Sequence, residues 1–145
     1  MGKQTEKYPF SKDQRFSIAL IKYNDGFYSP DHEIHYLRNV KPNSKDFQYW
    51  PDTNVNEWNI YFDTSEIIGF DLPVHSRMIF KKEVDSVLTY AFVVSTEDNE
   101  LELKEILIKH QMHKIEERLN DIEEEKRKFK ELYSKLSKHL IERHI

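Results

Sequence analysis

Along the first two thirds of the chain apolar residues alternate; in the last third they recur every three and a half residues. Residues 15–23 (RFSIALIKY) place Phe16, Ile18 and Leu20 on one face and Ala19, Ile21 and Tyr23 on the other. Apolar residues on both faces predict a central strand covered on both sides. Asn24-Asp25-Gly26 follows as a hairpin signal, because Gly26 supplies a positive φ. The return strand would start at 27–29, where Pro30 stops it, and 33–38 (EIHYLR) reads as a third, half-polar strand.

Residues 39–56 read as an 18-residue loop with Pro42, Pro51 and the aromatic residues Phe47, Tyr49 and Trp50. A loop that long is uncommon in a compact domain. Its aromatic side chains either pin it to the core, the favoured reading, or serve a function. Residues 57–63 (EWNIYFD) alternate cleanly, with Trp58, Ile60 and Phe62 inward and Asn59 and Tyr61 outward. Residues 64–69 suit a single helical turn, capped by Thr64 or Ser65 and stopped by Gly69. Pro73 is expected in a loop. Residues 77–82 and 87–94 predict two antiparallel strands joined by a turn near 84–86, the second apolar on both faces (Val87, Ala91, Val93 against Leu88, Tyr90, Phe92, Val94). The sum is an antiparallel sheet of five or six strands, curved or folded into a small sandwich.

Residues 95–99 (STEDN) mark the next boundary. Asn99 with Glu102 three later is a capping-box pattern, and Glu97, Asp98 and Glu100 suit the positive end of a helix dipole. A strand over 100–104, suggested by Leu101 and Leu103, is the weaker alternative. From here the chain predicts one long helix. Ile108, Ile115, Ile122, Phe129 and Leu136 fall at heptad d positions, and Met112, Leu119, Lys126, Tyr133 and Leu140 at a positions. Steps of four and three are the period of a left-handed coiled coil. No glycine or proline interrupts it. The competing arrangement, a helical hairpin turning near Asn120, would break a heptad that runs through that point.

The fold class is therefore α+β, an antiparallel β-rich head at 1–98 followed by one long coiled-coil helix at 99–145. About 45 helical residues span about 65 Å at 1.5 Å each, against a radius of gyration of about 13 Å for a 100-residue head. The head can roof over the first turns, near Ile106, Leu107 and Ile108. The distal stripe needs another helix, and a second copy of the chain is the simplest supplier. Lys126 at an a position fixes register and disfavours higher oligomers.

Composition narrows the function. The net charge is −4, with 11 Lys and Arg against 15 Asp and Glu in residues 1–98 and 11 of each in 99–145. Neither part has the basic excess that grips phosphate backbones, so nucleic acid is not an expected partner. Lys126 to Lys130 (KRKFK) follows Glu123 to Glu125 and reads as a salt-bridged solvated face. No apolar run is long enough for a bilayer and no secretory h-region opens the chain, so no membrane association is expected. There is no cysteine, which fits a cytoplasmic protein, and only three glycines, with no phosphate-binding loop. His32 with His35 and His110 with His113 are the available metal-ligand spacings. The first pair would point to opposite faces of a strand and the second to the solvated side of the coil, so surface histidines are the expectation, with no metal and no cofactor.

The chain is expected to be a non-enzymatic interaction protein, dimerised through Ile108, Met112, Ile115, Leu119, Ile122, Lys126, Phe129, Tyr133, Leu136 and Leu140. Arg38, Phe47, Tyr49, Trp50 and Tyr61 on the head are the candidate recognition surface for another protein. The alternative is a small-ligand binding or sequestering protein, such as a viral or mobile-element inhibitor of a host system. An enzyme using histidine or carboxylate chemistry is the third reading. The composition, rich in Lys, Glu, Asn, Ile and Tyr, suits a low-GC microbe or one of its viruses.

Overall fold

The computed structural model describes residues 7–52, 55–76, 82–83 and 90–143. It divides into two units, 1–108 and 109–145. In the first, the described residues form seven strands: β1 (Phe16–Tyr23), β2 (His32–Val40), β3 (Ser44–Trp50), β4 (Val55–Phe62), β5 (Leu72–His75), β6 (Lys82–Glu83) and β7 (Tyr90–Ser95). They make two sheets, with orders β2-β1-β7-β6 and β3-β4-β5. Every pairing is antiparallel.

β1 sits at the centre because both its faces are apolar. Phe16, Ile18 and Leu20 join Phe92 and Val94 of β7, Ile60 and Phe62 of β4, and Leu72 and Val74 of β5 in one core between the sheets. Ala19, Ile21 and Tyr23 join Ala91 and Val93 in a second core. That second core is closed by Leu103 and Leu107 from the start of α2 (Glu100–Arg143). The head thus has three layers: a small sheet, a larger sheet and the opening turns of the helix. Burial of large side chains on both faces of one strand is the main stabilising term, at about 1.5–3 kcal/mol per side chain. The expected antiparallel pairing of the last two strands is present where it is described, but in a different register, with Lys82 opposite Phe92 and Glu83 opposite Ala91. Residues 77–81 and 84–89, with the expected turn and Val87 and Leu88, lie outside the described residues.

Several elements differ from the pattern. The return strand does not start at 27–29. The connection runs from Asn24 to Asp31, closed by Asn24 N–H to Asp31 C=O at 3.1 Å, and the return strand is β2 itself. Two turn signals, Asp25-Gly26 and Ser29-Pro30, act together in one loop. Phe27 between them packs on the second core and against Tyr23, with ring centroids 5.2 Å apart. The supposed loop at 39–56 contains β3, paired along its length with β4 from Ser44↔Tyr61 to Trp50↔Val55. Its alternation is masked because the exposed Lys45 shares a face with Phe47 and Tyr49, its ammonium 3.7 Å from the centroid of the Tyr8 ring. Phe47, on the same face, packs edge-on to Trp58.

Pro73 lies in β5 rather than in a loop. β5 is an edge strand, the place where a sheet tolerates proline. Asn59 is expected outward and does lie on the face opposite Ile60 and Phe62, yet it is only 4% exposed. It lies on the central strand of the smaller sheet, opposite Asp46 on one side and His75 on the other. The short helix α1 (Ser65–Ile68) ends at Gly69 in the left-handed region, φ 88°. Its capping oxygen comes from Asp63, which accepts from the Ser65 N–H and hydroxyl. The Thr64 hydroxyl donates instead to the Phe70 carbonyl at 2.9 Å. Asn39, at φ 50°, sits where β2 carries one residue more than β1. The Ser17 hydroxyl accepts its N–H and Arg15 donates to its carbonyl, which holds this bulge.

The described residues of the second unit all lie on α2, which runs unbroken from Glu100 to Arg143, 44 residues, with no turn near Asn120.

Candidate functional site

α2 begins at the expected cap. The Asn99 side-chain oxygen accepts the Glu102 N–H at 3.1 Å, and the Asn99 amide donates to the Glu102 carboxylate at 2.7 Å. The cap is in turn tied to edge strand β2. The Tyr36 hydroxyl donates to Asp98 at 2.6 Å, and Arg38 bridges Asp98 and Glu100, with contacts of 2.9 Å to each. Lys104 donates to the other oxygen of Glu100 at 2.7 Å. The hydrogen bond from Tyr36, followed by that from Arg38, holds the Asp98 carboxyl below its usual range. The Lys104 hydrogen bond does the same for Glu100. Burial, with the Asp98 charge beside it, pushes the Tyr36 hydroxyl up.

A carboxyl whose pKa is depressed on folding contributes stability above its unfolded pKa and loses it as pH falls through the folded value. The junction should therefore weaken progressively below about pH 4. Asp98→Asn should narrow the difference between the head's melting temperatures at pH 6 and pH 3, measured by thermal unfolding. An unchanged difference would show that Asp98 contributes nothing to acid sensitivity. All these groups are solvent-accessible, so the effect is modest.

Two apolar faces emerge on α2. Leu103 and Leu107, four apart, are buried in the head. Ile108, Met112, Ile115, Leu119, Ile122, Phe129, Tyr133, Leu136 and Leu140 are all exposed, between 36% and 76%. Leu132, at a g position, adds further exposed apolar surface beside them. The heptad spacing places the stripe on one side of the helix, and the ion pairs lie elsewhere. Arg127 holds Glu124 at 2.7 Å and Glu131 at 3.5 Å, Lys135 reaches Glu131, and His113 meets Glu117. Those are b, c and f positions, away from the a/d seam. The basic run is salt-bridged as its sequence suggested, through Arg127.

Midway along the stripe the side chains form an open dip lined by Ile122, Glu125, Lys126, Phe129, Lys130 and Tyr133. These six residues make two overlapping sets at i, i+3, i+4 and i+7. One is 122, 125, 126 and 129; the other is 126, 129, 130 and 133. Four residues so spaced are the hole that receives a side chain from a facing helix in a coiled coil.

The five head residues proposed for recognition do not form one patch. Arg38 is on β2 of the larger sheet, with its guanidinium engaged by Asp98 and Glu100. Phe47 and Tyr49 are half-buried on β3 of the smaller sheet. Tyr61 lies on the other face of that sheet, 3.5 Å from Asp46. The Trp50 side chain is outside the described residues. The histidines disperse too: His32 bonds to the Pro30 carbonyl, and His35 to Glu33. His75 lies 3.0 Å from Glu57 across β5 and β4, a pair the spacing did not indicate. Among the described residues no group of three or more His, Asp or Glu is arranged to hold a metal.

No family model, curated protein or solved structure matches the chain significantly. No helix among the described residues is long and apolar enough to cross a membrane.

Proposed function

We propose that this chain is a non-enzymatic interaction protein, in which a β head that binds another protein is presented by a homodimer joined through α2. The exposed stripe from Ile108 to Leu140 carries the reading. A contiguous row of large apolar side chains in water is costly and marks an interaction surface. Three properties favour a second copy as the occupant. The seam repeats every three and a half residues, so a like helix stays in contact along its whole length. The dip at 122–133 has the residue spacing of coiled-coil holes. The ion pairs lie on the opposite side, so association would leave them intact.

The non-enzymatic part rests on where the perturbed groups lie. Of these, Tyr36, Arg38, Asp98 and Glu100 are committed to one strand–helix junction and Glu124 and Arg127 to an ion pair on the helix surface, networks of a structural kind. Native mass spectrometry of the purified chain tests the proposal in one measurement. Expected is a two-copy mass with no retained small molecule. A single-copy mass at micromolar concentration would overturn the dimer, and stoichiometric retention of a small ligand would favour sequestration over protein binding.

A further inference from the structure

Given that homodimer, the helix surface also selects how the two copies run, and we infer that the coil is parallel and in register. This inference rests on the dimer proposed above and adds its orientation.

The deciding residues flank the seam. Arg118 and Glu125 are at g positions, and Glu123 and Lys130 at e positions. Among the described residues none of these four has an ion-pair partner within the chain, whereas Arg127, Glu124, Glu131 and Lys135 at b, c and f are paired. In a parallel coil a g residue meets the e residue five further along the other copy. Arg118 then meets Glu123, and Glu125 meets Lys130, each twice by symmetry. All four charges are matched, and along residues 111–137 no like charges meet. The other g-to-e contacts in that span, Gln111 with Glu116 and Leu132 with Ser137, are not repulsive.

Antiparallel packing brings e against e and g against g. The register that sets Lys126 opposite Phe129, and Leu119 opposite Leu136, pairs Glu123 with Lys130. It leaves Glu125 facing Leu132 and brings no carboxylate to Arg118. Sliding one heptad, so that Ile122 faces Lys126, sets Glu123 against Glu123 and Glu125 against Glu125. Like charges so juxtaposed are what coiled coils use to reject a pairing.

Lys126 fits the same solution. In the parallel register the two Lys126 side chains share a layer, which disfavours burial of their ammonium groups. Each stem can lie along the seam while its head reaches outward. The hole that receives it is walled by Ile122, Glu125, Lys126 and Phe129 of the other copy, so a carboxylate stands at its rim. By connectivity both heads then join the coil at the same end. A multivalent partner surface would meet two heads at once and gain avidity from the pair.

The chain has no cysteine, so single substitutions report orientation cleanly. Leu136→Cys at a d position lies opposite itself in a parallel coil, within disulfide reach. In the antiparallel register it lies opposite Leu119, 17 residues away, which separates the two introduced sulfurs by about 25 Å. In a glutathione redox buffer, Leu136→Cys should form the homodisulfide about tenfold or more faster than Asn120→Cys at an outward position, because the seam holds its pair at high effective concentration. Equal rates at the two positions would overturn the inference. A dimer by native mass in which only a mixture of Leu119→Cys and Leu136→Cys chains crosslinks would overturn the orientation and leave the dimer standing. A wild-type monomer would overturn both.

Discussion

Leu119→Asp combined with Ile122→Asp should leave the protein monomeric with its head still folded. The two positions are consecutive a and d layers of the seam, 56% and 42% exposed on the single helix and so available to a partner. A dimer would have to bury four carboxylates between its helices. Burying an unpaired charge costs several kcal/mol. Even at about 1 kcal/mol each, four carboxylates weaken association roughly a thousandfold, at 1.4 kcal/mol per tenfold. The substitutions should spare the head, since its core draws on α2 only through Leu103 and Leu107 among the described residues. Both tryptophans, Trp50 and Trp58, belong to the head, so their fluorescence follows its unfolding while sedimentation velocity follows the dimer. A persistent dimer would place the seam elsewhere. Loss of the native fluorescence would mean that the helix beyond Ile108 is part of the head's core.

The mirror experiment acts on the other face. Leu107→Ala should lower the stability of the head by about 2–5 kcal/mol, the usual cost of Leu→Ala in a core that relaxes incompletely. Leu107 is 1% exposed and packs with Ala19, Ile21, Ala91 and Val93 on the outer face of the larger sheet. For a head of about 100 residues that loss lowers the melting temperature by on the order of 10 °C or more. The dimer mass should be unchanged, because Leu107 is off the seam. If urea unfolding followed by tryptophan fluorescence showed the wild-type midpoint, the helix would not roof the second core.

Together the two variants separate the roofing of the head from the distal seam. The heptad from Ile108 to Leu140 was legible because its spacing is strict and no glycine or proline breaks it. The cap at Asn99 was legible because capping depends on residues three apart. β1 and β7 were legible because burial on both faces leaves near-continuous apolar runs. Leu103 and Leu107 were harder to place. They are four apart, as core-facing residues of any helix are, and exposed neighbours such as Leu101 and Ile106 surround them with equal hydropathy. Only the sheet beneath decides which of these is buried.

β3 was missed for a related reason. An edge strand on which the exposed Lys45 shares the face of Phe47 and Tyr49 has no hydrophobic alternation, and the stabilising contact is a cation over the Tyr8 ring far away in sequence. β2 was shortened because Gly26 and Pro30 both signal turns, and spacing alone does not show that one loop uses both. The Tyr36–Arg38–Asp98–Glu100 junction joins residues about 60 apart, a pairing that only the fold creates. Arg38, chosen as an exposed cation near aromatic residues, turned out to hold the helix start.

Whether a second copy covers the seam of α2 is tested most directly by hydrogen exchange of the amides in residues 112–140, measured on the wild-type chain at several concentrations. A lone helix with this stripe in water is marginal and opens readily, whereas a helix in a dimer opens fully only when the copies part. Protection across 112–140 should rise with protein concentration, while that of β1 and β7 depends on it far less. Protection of 112–140 that does not change with concentration would contradict the dimer.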